Sequence, residues 1–156
     1  MLDGVLIIDK PSGITSHDVV AKVRKALKTK KVGHTGTLDP LATGVLVVCV
    51  EKATKLVNYL TCDEKIYEVE MKLGIKTDTG DITGNIIDED TNYKVTIKEA
   101  NEVIKSFVGK QKQIPPMYSA IKVNGQKLYE LARKGIEIER EPRDIEIFDI
   151  YNIEIN

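Results

Sequence analysis

Residues 33–50 read GHTGTLDPLATGVLVVCV. The second half, GVLVVCV (44–50), is a continuous apolar run and predicts a buried strand. The first half is a loop under tight backbone control, with Gly33, Gly36, Gly44 and Pro40 set among three threonines. Inside it stands Asp39, the only acidic residue between Asp18 and Glu51. Pro40 disfavours the α region at Asp39 and so restricts how the side chain leaves the loop. An ionised carboxylate held this way can serve as a nucleophile or base. It can equally cap nearby amides in an Asx-type turn. Spacing alone leaves both readings open.

Working outward, VLIID (5–9) predicts a short strand and KPSG (10–13) a turn. Ser16 is placed to N-cap a helix through about residue 29, with Val19, Val20, Val23, Ala26 and Leu27 as its apolar stripe. ATKLVNYL (53–60) predicts a short helix. KIYEVEMKLGI (65–75) alternates, so a strand is expected with Tyr67, Val69, Met71, Leu73 and Ile75 on one face. Tyr67 should then point to the interior or into a cleft. The polar loop KTDTGDITG (76–84) leads to a strand at NIID. Thr96 and Glu99 form a capping box for a helix carrying Ile97, Ala100, Val103, Ile104 and Phe107, closed by Gly109. Residues 113–135 read as a strand, an Asn-Gly turn and a short helix. The remainder reads as two alternating strands broken at Pro142. Strand signals outnumber helices, and hairpins outnumber βαβ units. The expected class is α+β, a mixed, mostly antiparallel sheet with flanking helices in one domain over residues 1–156.

A length of 156 residues suits one domain with its own core. Trp is absent and Phe occurs twice, so that core must be aliphatic. Cys49 and Cys62 lack metal-ligand spacing, which favours reduced thiols and a cytoplasmic location. The N-terminal apolar run is stopped by Asp9 and Lys10, giving neither a signal peptide nor a membrane span. The net charge of −1 hides an asymmetry: residues 1–60 carry nine Lys/Arg against five Asp/Glu. KVRKALKTKK (22–31) holds six cations and no acid. Such a segment suits a polyanionic partner, although a basic helix face can also simply solvate and complement the helix dipole.

Other candidates carry less. His34, on the same loop as Asp39, is either a structural hydrogen-bonding group or a ring that stacks on an unpaired base. DTG (78–80) matches half of an aspartic-protease dyad, but its polar, turn-like surroundings lack the apolar strand that such a dyad needs. Asp78, Asp81 and Asp88 do not have calcium-loop spacing. No phosphate-binding glycine motif is present. No metal or cofactor is expected.

In order along the chain, IDKPSGITS (8–16), GHTGTLDPLATGVL (33–46), KIYEV (65–69), IKTDTGD (75–81), QIPPMYSAIKVNGQKLYELARKG (113–135) and EREPR (139–143) together resemble the TruB family of tRNA pseudouridine synthases. The resemblance runs from residue 8 to about 150. It implies an isomerase that converts uridine 55 in the tRNA T-loop to pseudouridine without a cofactor, working as a monomer on the T-arm. It implies that Asp39 is the essential aspartate, nucleophile or base, and that Tyr67 stacks under the target uracil. His34 would hold the flipped-out T-loop, Asp81 would lie near the flipped nucleotides, and Lys10 and Pro11 would shape the active site. Family members continue further, with an arginine that faces the catalytic aspartate and a PUA-type RNA-binding domain. Arg140 and Arg143 match a different family segment and are not assigned that role. The chain is therefore expected to be the N-terminal part of a catalytic domain, with little or no turnover alone. Two other readings stand beside this one: a non-catalytic T-loop-binding module, and the related RNA-guided synthase of archaea and eukaryotes.

Overall fold

A computed structural model describes residues 3–61, 64–119 and 121–155. The chain divides into two compact units, Met1–Val69 and Glu70–Asn156, each described here by itself.

The first unit begins with β1 (Gly4–Lys10), followed by α1 (Ser16–Leu27), β2 (Val32–His34) and β3 (Gly44–Val50). A 3-10 turn (Glu51–Leu56) runs into the short helix α2 (Val57–Leu60). The strands form one antiparallel sheet in the order β1-β3-β2, with Leu6 opposite Val48 and Ile8 opposite Leu46. Period-two alternation sends these residues to the face covered by α1. There Val19, Val20 and Val23 of the helix pack with Val32, Leu46, Val48 and Val50. Each fully buried Val or Leu contributes roughly 1.5–3 kcal/mol of transfer free energy. Leu38, from the loop between β2 and β3, packs on the same core and anchors that loop.

The start of α1 differs from expectation by one residue. Thr15 is the N-cap: its hydroxyl accepts from the Asp18 amide, and Asp18 Oδ2 accepts from the Thr15 amide at 2.8 Å. Ser16 is the first helical residue, and its hydroxyl is not used in capping. Arg24 turns inward to donate to the Val32 carbonyl at 3.0 Å. Lys22, Lys25, Lys28, Lys30 and Lys31 remain exposed, so the basic segment presents five ammonium groups to solvent.

The second unit contains β4 (Ile75–Thr77), β5 (Ile86–Glu89), α3 (Ile97–Ser106), β6 (Gly109–Gln113), β7 (Lys122–Val123), β8 (Gln126–Lys127), α4 (Leu128–Ala132) and β9 (Arg143–Ile147). The strands pair as β4-β5, β6-β9 and β7-β8, all antiparallel. The capping box at Thr96 and Glu99 forms as expected. Asn124 and Gly125 both take positive φ (51° and 83°), the backbone a tight primed hairpin turn requires. The class is α+β, and every ladder among the described residues is antiparallel.

Of the strand expected over 65–75 only its last residue, Ile75, lies in a strand, β4. Residues 64–72 have no ladder partner among the described residues and are exposed on both faces, with Ile66 84%, Tyr67 58% and Val69 79% accessible. Alternation specifies what each face would do once paired, but pairing itself requires a neighbouring strand. Residues 136–142, expected to be a strand, also remain outside the ladders; only β9 forms after Pro142. Cys49 is fully buried, and burial raises its thiol pKa. Cys62 lies outside the described residues. Among the described residues no helix is long and apolar enough to cross a membrane.

Candidate active site

The loop from Thr35 to Thr43 is held mainly through its main chain. Thr35 donates its amide to the Val47 carbonyl at 3.0 Å, and Gly13 donates its amide to the Pro40 carbonyl at 2.8 Å. Ala42 donates its amide to the Asp39 carbonyl at 3.1 Å, closing a turn over Asp39 itself. Gly44 leaves the loop at φ +117°, a conformation L side chains rarely adopt, and so starts β3.

Lys10, at the end of β1, is completely buried. Its ammonium donates to the carbonyls of Ile14 (2.7 Å), Pro11 (3.0 Å) and Pro40 (3.3 Å). Three donated bonds use all three of its N–H groups and tie the 10–14 turn to the residue after Asp39. Pro11 is exposed and takes part through its carbonyl. This lattice meets the requirement that a buried charge be fully hydrogen-bonded.

Asp39 is exposed. Among the described residues its carboxylate has no hydrogen-bond donor, so the Asx-type turn is not what forms: the backbone carbonyl makes the turn and the side chain is left free. His34 ends β2 opposite Val48, on a strand and not within the loop. It is half-buried, and its Nδ1 is enclosed without a partner among the described residues. Tyr67 is more than half exposed, and its expected inward direction is not observed.

Asp81 belongs to the second unit and is engaged by its own loop. Its Oδ1 accepts from the Thr83 hydroxyl (2.6 Å), the Thr83 amide (2.8 Å) and the Thr79 hydroxyl (2.9 Å). The Thr83 hydroxyl and then the Thr83 amide, with Thr79 adding less, hold its pKa below the usual aspartate range, against an opposing effect of burial. Asp78 is likewise occupied, accepting from the amide of Asn85 at 2.9 Å and from its side chain at 3.1 Å. The DTG sequence is therefore a self-bonded turn. Beside it lies an open cleft of about 460 Å³ lined by Thr77, Asp78, Gly80, Met117, Tyr118 and Arg140. Arg140 donates to Glu137 at 3.0 Å. Arg143 begins β9 opposite Gln113 and is exposed.

Among the described residues no group of three or more His, Cys, Asp or Glu is placed to hold a metal ion. Ser16 is what sequence reasoning missed. Its hydroxyl accepts from the Leu38 amide at 2.9 Å and donates to the Leu38 carbonyl at 3.2 Å. The T-S-H-D spacing of a capping box at Thr15 and Asp18 would have revealed that Ser16 is not the cap.

Residues 24–156 match the family described as TruB family pseudouridylate synthase (N terminal domain). The chain belongs to that family. It is 56% identical over 151 residues to tRNA pseudouridine synthase B of Bacillus subtilis (strain 168), covering 96% of this chain and 49% of the relative. It is also 56% identical over 156 residues to tRNA pseudouridine synthase B of Clostridium kluyveri, covering 99% and 54%. The chain thus spans about half the length of the curated relatives it matches. Among solved structures, one described as a Cbf5-Nop10-Gar1 complex matches with a TM-score of 0.61 and 29% identity, over 98% of this chain and 36% of that one.

Proposed function

We propose that this chain supplies the N-terminal part of the catalytic domain of a tRNA pseudouridine synthase, which isomerises uridine 55 of the T-loop. The observation that carries the reading is the Asp39 loop: its backbone is fixed on both sides, its carboxylate is unpaired among the described residues, and it lies in a chain more than half identical to enzymes of that name. The reaction detaches uracil from ribose, turns it and rejoins it through C5, so the base must first leave its stack. Flipping costs a few kcal/mol, less in a loop than in a duplex. Stacking on Tyr67, whose ring is already accessible, recovers about 1–3 kcal/mol per base. Asp39 then acts on the ribose or base as nucleophile or proton acceptor. His34 supports the flipped loop. Asp81 keeps Oδ2 clear of the donors that occupy its Oδ1, and can accept a hydrogen bond from a nucleotide.

The exposed lysines of the 22–31 segment meet phosphates, so tRNA affinity falls as salt rises. The reaction is an isomerisation and needs no redox cofactor or metal. The enzyme acts as a cytoplasmic monomer on the T-arm. The test is to incubate unmodified tRNA with the protein at its full natural length and with this chain alone, then map pseudouridine nucleotide by nucleotide. Modification at the T-loop uridine by the full-length protein is expected, with little or none from the chain alone. Modification at another uridine, or dependence on an added guide RNA, would refute the T-loop assignment.

A further inference from the structure

Ser16 and Asp39 stand at opposite ends of a short chain of bonds. Ser16 is 2% exposed, and its single hydroxyl bonds both main-chain polar atoms of Leu38, 22 positions away. The carbonyl it bonds belongs to the peptide linking Leu38 to Asp39. Holding that peptide plane fixes the rotation at which the Asp39 Cα enters the loop. On the far side, Lys10 and Gly13 hold the Pro40 carbonyl. Helix capping does not need this hydroxyl, because Thr15 and Asp18 complete the capping box. Its only hydrogen bonds among the described residues are those to Leu38.

We infer that Ser16 is a positioning residue for Asp39, setting the peptide plane from which the reactive carboxylate projects. This rests on the reading of Asp39 as the catalytic carboxylate. Ser16 touches neither substrate nor reacting atoms; it acts through the backbone. Its loss should therefore slow the chemical step while leaving tRNA binding in place.

The experiment compares Ser16→Ala, Ser16→Thr, Thr15→Ala and Asp39→Asn with the parent, all at full natural length. It measures single-turnover pseudouridine formation at saturating enzyme, tRNA Kd and thermal unfolding. Amide exchange at Leu38 is followed in parallel in this chain. Ser16→Ala should slow the single-turnover step about 10- to 100-fold, with Kd within about twofold of the parent. It should also lose protection at the Leu38 amide. Thr15→Ala weakens the helix cap without touching Leu38, so at comparable loss of Tm it should keep the parent rate. Ser16→Thr keeps a hydroxyl and should recover most of the rate. A Ser16→Ala rate equal to the parent's, or an equal slowing by Thr15→Ala, would overturn the inference. Full activity of Asp39→Asn would instead overturn the reading of Asp39 beneath it.

Discussion

In the loop at 33–44 the hydrogen bonds go to main-chain atoms on either side of Asp39, whereas in the loop at 77–85 main-chain bonds are joined by bonds to the carboxylates of Asp78 and Asp81. Both loops are rich in Gly and Thr, and both contain aspartate. The first is braced from outside, by Lys10, Gly13 and Ser16, so among the described residues its acid bonds to nothing in the fold. The second braces itself, and its acids are the braces. A side chain required to meet a substrate is better carried by a loop whose own polar needs are met elsewhere. A loop that must hold its shape alone occupies its carboxylates.

The sharpest break of this contrast is Asp39→Asn. With no hydrogen bond to lose among the described residues, it should leave the urea midpoint of the chain unchanged. In the full-length protein it should lower pseudouridine formation roughly 10³-fold or more. A shifted midpoint would mean that the carboxylate is structural after all. Next comes Lys10→Met, which keeps the buried stem and removes the ammonium. Three carbonyls lose their donor, and although the change also relieves the cost of burying a charge, unfolding free energy should fall by about 1–3 kcal/mol. Denaturation by urea, monitored at residues of the first unit, measures it.

Asp81→Asn should produce the reverse of Asp39→Asn in kind but less in size. Oδ1 loses strong acceptance from Thr79 and Thr83, amide exchange over 77–85 accelerates, and stability changes by less than about 1 kcal/mol because the site is solvated. The same bonds predict a pH dependence. Asp81 has a folded-state pKa below its ordinary value of 3.8. Its contribution is therefore complete above the unfolded-state value and disappears as the pH falls through the folded-state value. Asp18 and Glu99, held low first by Thr15 and Thr96 hydroxyls, act in the same direction. Urea midpoints should be flat from neutrality to about pH 5 and decline below 4, with a shallower decline in Asp81→Asn. An equal decline in the variant would show that Thr79 and Thr83 do not stabilise the charged form.

Local chemistry was legible in the sequence wherever a few neighbouring residues decide the outcome. The run 44–50 became a strand, buried at Leu46 and from Val48 to Val50 but open to solvent at Val45, Thr96 and Glu99 became a capping box, and Asn124-Gly125 became a hairpin turn. Density of Gly and Pro pointed to Asp39 as the residue around which a loop is organised. What depends on distant partners was not legible. The alternation at 65–75 is real, but a strand also needs a neighbour, and none pairs with 64–72 among the described residues. The freedom of the Asp39 carboxylate depends on Lys10 and Ser16, more than twenty positions away, and no periodicity encodes such bonds. His34 reads as loop in the sequence because β2 is only three residues long and ends inside the glycine-rich stretch.

The bare segment from 64 to 72 has a practical consequence. Proteases need extended, accessible backbone that can be drawn into their clefts, and exposed unpaired segments supply it. Trypsin should therefore reach Lys65 and Lys72 early in a limited digest. A cut after Lys65 puts Asp39 and Tyr67 on different fragments, so a single nick there would sever the two residues that the proposed chemistry must keep together. Slower nicking in the presence of a T-arm stem-loop would map where the RNA lies.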